Sequence, residues 1–164
     1  MDEVVVRPTV PSDARRLADI WIDDAAYYAE LDPGAFRVPA RAEVERVPIG
    51  EQTADTQLSL VAEIDGTVAG FVDAHVVSPV EDAGAQLISE LDATRVIVDA
   101  LVVERKYWRR GAGTALLGAV EEWGRARGAT IVCLDTYLHS PVSVPFYEQH
   151  MGYERRSVSF RKRL

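Results

Sequence analysis

The chain has little sulfur and few metal-binding side chains. Cys133 is the single cysteine among 164 residues, so no internal disulfide can form. Its setting in the apolar run "TIVCLDTY" suits a buried strand thiol better than a nucleophile. His75, His139 and His150 are the only histidines and are scattered, without the ligand spacing of a zinc site, so no metal is expected. No apolar run approaches the roughly 20 residues of a membrane span. The opening "MDEVVVRPTV" lacks the basic region and apolar core of a secretory signal. A cytoplasmic protein that does not enter a membrane is therefore expected. Repeats, low-complexity tracts and linkers are also lacking. "SPVEDAGAQ" reads as an exposed loop, and the length suits one domain over residues 1–164.

Basic charge is scarce at first and then plentiful. The net charge is -8; residues 1–92 hold 19 acidic and 6 basic side chains, and residues 93–164 hold 7 and 12. An acidic chain of this kind is a poor nucleic-acid binder. The distribution fits a C-terminal half that attracts a compact anion and an N-terminal half that favours a cation, and equally fits solubility alone.

What is there reads as alternating strands and helices. "EVVVRPTV" predicts a short strand. Pro11 and Asp13 suit a helix start, and Ala14, Leu17, Trp21, Ala25 and Tyr28 recur three or four apart in a helix ending near "LDPG". A weaker helix over 39–50 is limited by Pro48. Two β-rich runs flank Asp65-Gly66, a tight-hairpin dipeptide. "TRVIVDALVVE" (94–104) reads as a strand buried on both faces. A helix follows over 111–127, with Leu116, Val120 and Trp123 on one face and Gly128 at its C-terminal end. "TIVCLDTYL" is another buried strand, "VSVPFYEQH" a short helix, and "YERRSVSFRKR" a closing strand whose exposed edge could serve a homodimer. A long helix between two buried strands implies a parallel pair with a right-handed crossover, and the hairpin before it implies antiparallel neighbours. The fold class is α/β (α+β), with a mixed sheet.

The stretch "YWRRGAGTALL" (107–117) leaves a buried strand, turns through Gly111 and Gly113, and enters a helix. Glycines let backbone approach an anion closely, and the first amides of a helix point at it with the dipole behind them. Arg109 and Arg110 add positive charge. A glycine-rich loop beside a solvated charge run would look the same. The nucleotide-triphosphate loop is excluded because no Gly-Lys-Ser or Gly-Lys-Thr follows. The dinucleotide fingerprint fails too, since Leu116 stands where its third glycine belongs.

"ALVVERKYWRRGAGTALL", followed about thirty residues later by "VPFYEQHMGY", resembles the GNAT family of Gcn5-related N-acetyltransferases. The motif-level likeness covers residues 94–153, and the element order matches over the whole chain. The resemblance implies a single-domain GNAT-like fold: a central mixed, mostly antiparallel sheet, with a parallel pair of strands splayed at the cofactor site and helices on both faces. It implies acetyl-CoA, or another acyl-CoA, as co-substrate. The pyrophosphate would lie on the backbone of Arg109, Arg110, Gly111, Ala112, Gly113 and Thr114, and the acetyl oxygen and pantetheine along Leu101, Val102 and Val103. Ser140, Ser143 and Phe146 match cofactor-contacting positions of the second motif. Three departures stand out: Trp108 occupies the usual Arg or Gln position, Ser140 and Ser143 replace an Asn and an Ala, and one extra residue separates Tyr147 from Gly152.

By the same resemblance Tyr147 is the acid facing the CoA sulfur; its ring could instead simply pack. Asp99 is the only charged residue between Arg95 and Glu104, where a buried carboxylate needs a partner, water or a function. It is a candidate base, or a structural ion pair with Arg95 or Arg7. Trp21, Asp24 and Tyr28 on the first helix, and His139 near the cleft mouth, are candidates for the substrate. The more ordinary reading makes Trp21 and Tyr28 core and the aspartates of this helix solvent-facing. The implied reaction is direct acetyl transfer in a ternary complex to a primary amine of a small molecule. A non-catalytic acyl-CoA sensor or scaffold, and a protein or peptide N-acetyltransferase, are the alternatives.

Overall fold

The computed structural model describes residues 3–47, 50 and 54–164. These fall into two units, Met1–Leu134 and Asp135–Leu164. The first contains a five-stranded sheet of β1 (Val4–Pro8), β2 (Gln57–Ile64), β3 (Thr67–Val77), β4 (Arg95–Val103) and β5 (Ile131–Cys133), side by side in chain order. The first three pairings are antiparallel and β4–β5 is parallel. Asp65 and Gly66 join β2 to β3 with φ of 52° and 73°, the left-handed pair that the Asp-Gly dipeptide favours.

Helix α1 (Ala14–Leu31) follows a single 3-10 turn, Pro11–Asp13. The Asp13 carboxylate accepts the Val10 amide at 2.9 Å and two bonds from Arg7 at 2.8 and 3.0 Å, and Arg7 also reaches Glu63. One guanidinium thus ties β1, the start of α1 and β2 together. The buried stripe of α1 is Leu17, Ala18 and Ile20, whereas Ala14 of the expected stripe is exposed. The expected helix over 39–50 shrinks to α2 (Arg41–Val44), which buries only Val44; Pro48 lies outside the described residues.

Helix α3 (Ala112–Ala126) carries the chain from β4 to β5, as the crossover reading requires. It ends in a Schellman motif. Gly128 takes φ 77°, its amide donates to Arg125 and the Ala129 amide donates to Gly124, which satisfies carbonyls the helix itself leaves open.

The two long helices cover opposite faces of the sheet. Leu17 and Ile20 pack with Val61, Phe71 and Val102, three residues aligned across β2, β3 and β4. Val96 pairs with Val76, an odd number of residues from Phe71 and hence on the other face. There Gly124 of α3 fits against it: a Cβ on Gly124 would stand 2.5 Å from Val96 Cγ2.

Three strand expectations need correction. The buried strand expected over "TIVCLDTYL" shortens to β5, whose three residues, Cys133 among them, are only half-buried. β4 is not buried on both faces throughout, because the Asp99 side chain is 50% exposed. The closing strand expected over 153–163 does not form: these residues carry no helix or strand and all but Tyr153 are exposed, with Phe160 at 94%. In the second unit, helix α4 (Ser143–Pro145) runs into a π-turn, Phe146–His150. The Met151 amide donates to the Phe146 carbonyl at 3.0 Å, a five-residue step that takes up the extra residue ahead of Gly152.

Candidate active site

The turn before α3 is built from two left-handed residues. Arg109 has φ 61° and Gly111 has φ 89°; the first costs an L-residue roughly 1 kcal/mol, and the second is the conformation only glycine adopts freely. The first bond of the helix ladder runs from the Ala115 amide to the Gly111 carbonyl at 2.9 Å. Ala112 and Gly113 therefore lie ahead of the ladder, and the N-cap residue, Gly111, brings no side chain to cap this end. Backbone donors and the positive end of a 15-residue helix converge there. Arg110 pairs with Asp65 of the hairpin turn at 3.0 Å and lies over the Tyr107 ring, while Arg109 is exposed beside the turn.

Trp108 does not reproduce the missing Arg or Gln. Its indole N–H donates to the Val103 carbonyl at 2.6 Å, and its ring meets Tyr27 edge-on at 4.9 Å. The indole locks the end of β4 to the turn, a structural use of a position the resemblance assigns to cofactor contact.

β4 and β5 pair over three residues only, Arg95 to Ile97 against Ile131 to Cys133. Beyond Ile97, β4 runs on through Leu101, Val102 and Val103 with no strand partner on that side among the described residues, while its other edge is held by β3. This is the opening expected between a splayed parallel pair. Asp99 sits at its start for a specific reason: Asp73 pairs with Ala100 and Ala74 with Val98, leaving Asp99 as the extra residue of a β-bulge. The bulge turns the carboxylate out of the apolar strand, which is why the expected burial fails. Its partner is neither Arg95 nor Arg7 but His75, whose Nδ1 lies 2.8 Å from Asp99 Oδ2.

His75 and Asp73 are the site residues that sequence reasoning missed. They alternate with apolar neighbours in "FVDAHVV", on the face that carries Phe71, and two polar residues at strand spacing inside a buried run were the available signal. The Asp73 carboxylate accepts from Ser59 Oγ at 2.6 Å and from the Gly50 amide at 3.2 Å. Burial nevertheless pushes its pKa up, and the Asp99 charge adds to that.

On α1, Trp21 lies against Phe71 with ring centroids 6.3 Å apart, and Tyr28 meets Tyr27 and Phe36. Both rings pack against aromatic neighbours and are half-buried. Asp24 is half-buried, and its pKa is pushed up to about 6, first by burial and then by the neighbouring Asp23, with Arg105 opposing. Asp23 accepts the Arg105 amide at 2.9 Å, so the two aspartates are not equivalent: one is structural, the other a poorly solvated carboxyl.

The second unit holds the remaining candidates. Ser140 is 3% exposed and its Oγ accepts the Ser143 amide at 3.0 Å, fastening the start of α4. Phe146 lies 5.2 Å from Tyr147, which also meets Tyr153 at 6.1 Å, and the Tyr153 amide donates to the Tyr147 carbonyl. His139 stands edge-on to Tyr137.

Comparison with known proteins agrees with this fold. Residues 20–153 match the acetyltransferase (GNAT) family. An aminoglycoside N(6')-acetyltransferase type 1 from Salmonella typhimurium is 27% identical over 113 residues, 67% of this chain and 72% of that enzyme. Among solved structures, a transcriptional regulator from Bacillus halodurans C-125 superposes with a TM-score of 0.70 at 16% identity, over 99% of this chain and 100% of the other. AAC(6')-Iy bound to a bisubstrate analogue of CoA and acetylneamine gives 0.62 at 22% identity, over 99% of each chain. At those identities the superpositions speak for the fold, and the family match extends over most of the chain. The chain belongs to the acetyltransferase (GNAT) family, and its chemistry is that of an N-acetyltransferase.

Proposed function

We propose that the protein transfers the acetyl group of acetyl-CoA to a primary amine of a small molecule, directly, with both substrates bound at once and residues 1–164 acting as one catalytic domain. The observation that carries this is the left-handed turn at Arg109 and Gly111, which opens α3 directly after the stretch of β4 that β5 does not pair. In this reading the amides of residues 109–114 hold the pyrophosphate, which needs backbone donors and no particular side chain. That tolerance is why Trp108 does not disable the site. Ser140, Ser143 and Phe146 contribute to the cofactor side, as the second motif implies.

A bound acyl-CoA supplies an activated thioester. The chain must then do three things: take a proton from an amine whose ordinary pKa near 10 keeps it charged, stabilise the carbonyl oxygen as it gains charge, and return a proton to sulfur. The backbone of Leu101 to Val103 is assigned the oxygen and the Tyr147 hydroxyl the sulfur. A small cationic acceptor is supported by the poorly solvated Asp24, by the acidic N-terminal half and by the aminoglycoside chemistry named for the relative from Salmonella.

The test is CoA release from acetyl-CoA, followed with a thiol reagent, across polyamines, aminoglycosides, amino acids and short peptides. Release with a small amine is expected, lowered at least tenfold by Tyr147→Phe at unchanged acetyl-CoA affinity. Release with peptides alone would move the acceptor to proteins. No release and no acyl-CoA binding would end the reading.

A further inference from the structure

The face of the sheet that α1 covers is apolar at Val61, Phe71 and Val102 and then turns polar. Ser59, Asp73 and His75 follow along that face: Ser59 is paired across β2 and β3 with Asp73, and His75 lies two residues further along β3. Asp99 joins them from the bulge of β4. These residues sit where β4 parts from β5: His75 is paired with Ile97, the last residue of β4 that has a β5 partner. From Asp99 to Leu101, where the assigned carbonyl site begins, is two residues, about 7 Å of strand. That is the span a base must bridge to reach an amine attacking a carbonyl there, directly or through one water.

Within this group the hydrogen bonds assign different roles. Asp73 is engaged by Ser59 and the Gly50 amide. Asp99 instead faces the ring of His75, at 2.8 Å from Nδ1. A carboxylate can only accept, so this contact fixes the proton on Nδ1 and leaves Nε2 with its lone pair. Around His75 stand Asp99 and Ile97 on β4, Gln57 opposite on β2, and Asp73 on its own strand; the charged groups among them are carboxylates. His75 and Asp99 are 36% and 50% exposed, open enough to meet a substrate and to return a proton to water. A contact this exposed adds little to stability.

We infer that His75 is the catalytic base that accepts a proton from the acceptor ammonium at Nε2, with Asp99 the positioning residue that holds its ring in the required tautomer. The assignment rests on the acetyl-transfer reading above. One N–H bond of the ammonium breaks, its proton passing to Nε2 and its electron pair remaining on nitrogen. That pair forms the C–N bond to the thioester carbonyl carbon. The C–S bond breaks with its pair on sulfur, and the second proton shed by nitrogen ends on sulfur as the thiol. His75 then releases its proton to water. One ammonium and one thioester thus give an amide, a thiol and one free proton.

The experiment combines ring-nitrogen NMR of the full chain at pH 8 with turnover on neamine, spermidine and lysine. The wild type is expected to show the Nδ1–H tautomer of His75, and Asp99→Asn to lose it. His75→Gln and Asp99→Asn should each lower kcat at least 100-fold. Acetyl-CoA affinity by calorimetry and thermal melting should stay near wild type, and the double variant should be no slower than the slower single one, as groups acting as a unit behave. An Nε2–H tautomer in the wild type overturns the assignment, as does an active wild type whose His75→Gln variant keeps kcat within threefold. A wild type that releases no CoA with any amine overturns the acetyl-transfer reading and this assignment together.

Discussion

Gly111 and Asp24 show how single residues bear on the site. At Gly111 a Cβ would meet only Val4 Cγ2, at an ordinary 3.6 Å, so space is not the constraint; the φ of 89° is. Gly111→Ala should cost about 1–2 kcal/mol, lowering the melting temperature by several degrees, and should weaken acetyl-CoA binding more than tenfold by calorimetry as the turn relaxes. Asp24 carries a different kind of strain. With a folded-state pKa of about 6 against an ordinary value near 4, the folded chain binds more protons than the unfolded chain between those pH values. Stability therefore falls as pH rises through that window, and the cost of the ionised carboxylate is fully present above it. Asp24→Asn should raise unfolding stability in urea by on the order of 3 kcal/mol at pH 7.5 and by much less at pH 4. At this scale the sequence was legible where a motif fixed backbone, as at Gly111. It misled where one residue of slippage decides orientation: nothing in "VIVDALVV" announces that Asp99 is bulged.

Gly70 does for β4 what the hairpin does for β2 and β3, since it lets two elements approach. A Cβ there would stand 2.6 Å from the Val102 carbonyl oxygen and 2.9 Å from Val103 Cγ2. The first contact is backbone, so β4 itself must shift, at the residues assigned to the acetyl oxygen. Gly70→Ala should destabilise by about 2 kcal/mol, read as a fall in melting temperature, and should raise the KM for acetyl-CoA more than that of the amine. The hairpin, β4 and α3 were all readable, because Asp-Gly, a largely apolar run rich in Val and Ile and a 3.6-residue period each name one local geometry. The tail was not. "YERRSVSFRKR" alternates as a strand should, but alternation describes one half of a pair, and among the described residues these find no strand to join.

Over the whole molecule, charge is the quantity the sequence gives directly. A net -8, with the acidic excess confined to residues 1–92, should draw a polycationic acceptor by long-range attraction. Its KM should rise severalfold between 0.05 and 0.5 M salt as screening shortens, with kcat nearly constant; a KM indifferent to salt would count against a cationic acceptor. The most direct test of the account follows the label from [1-¹³C]acetyl-CoA by mass spectrometry in a mixture of small amines and short peptides. A single acetyl group on nitrogen of a small amine is the expected result. Label on peptides alone, or acetate without an acetylated amine, would contradict it.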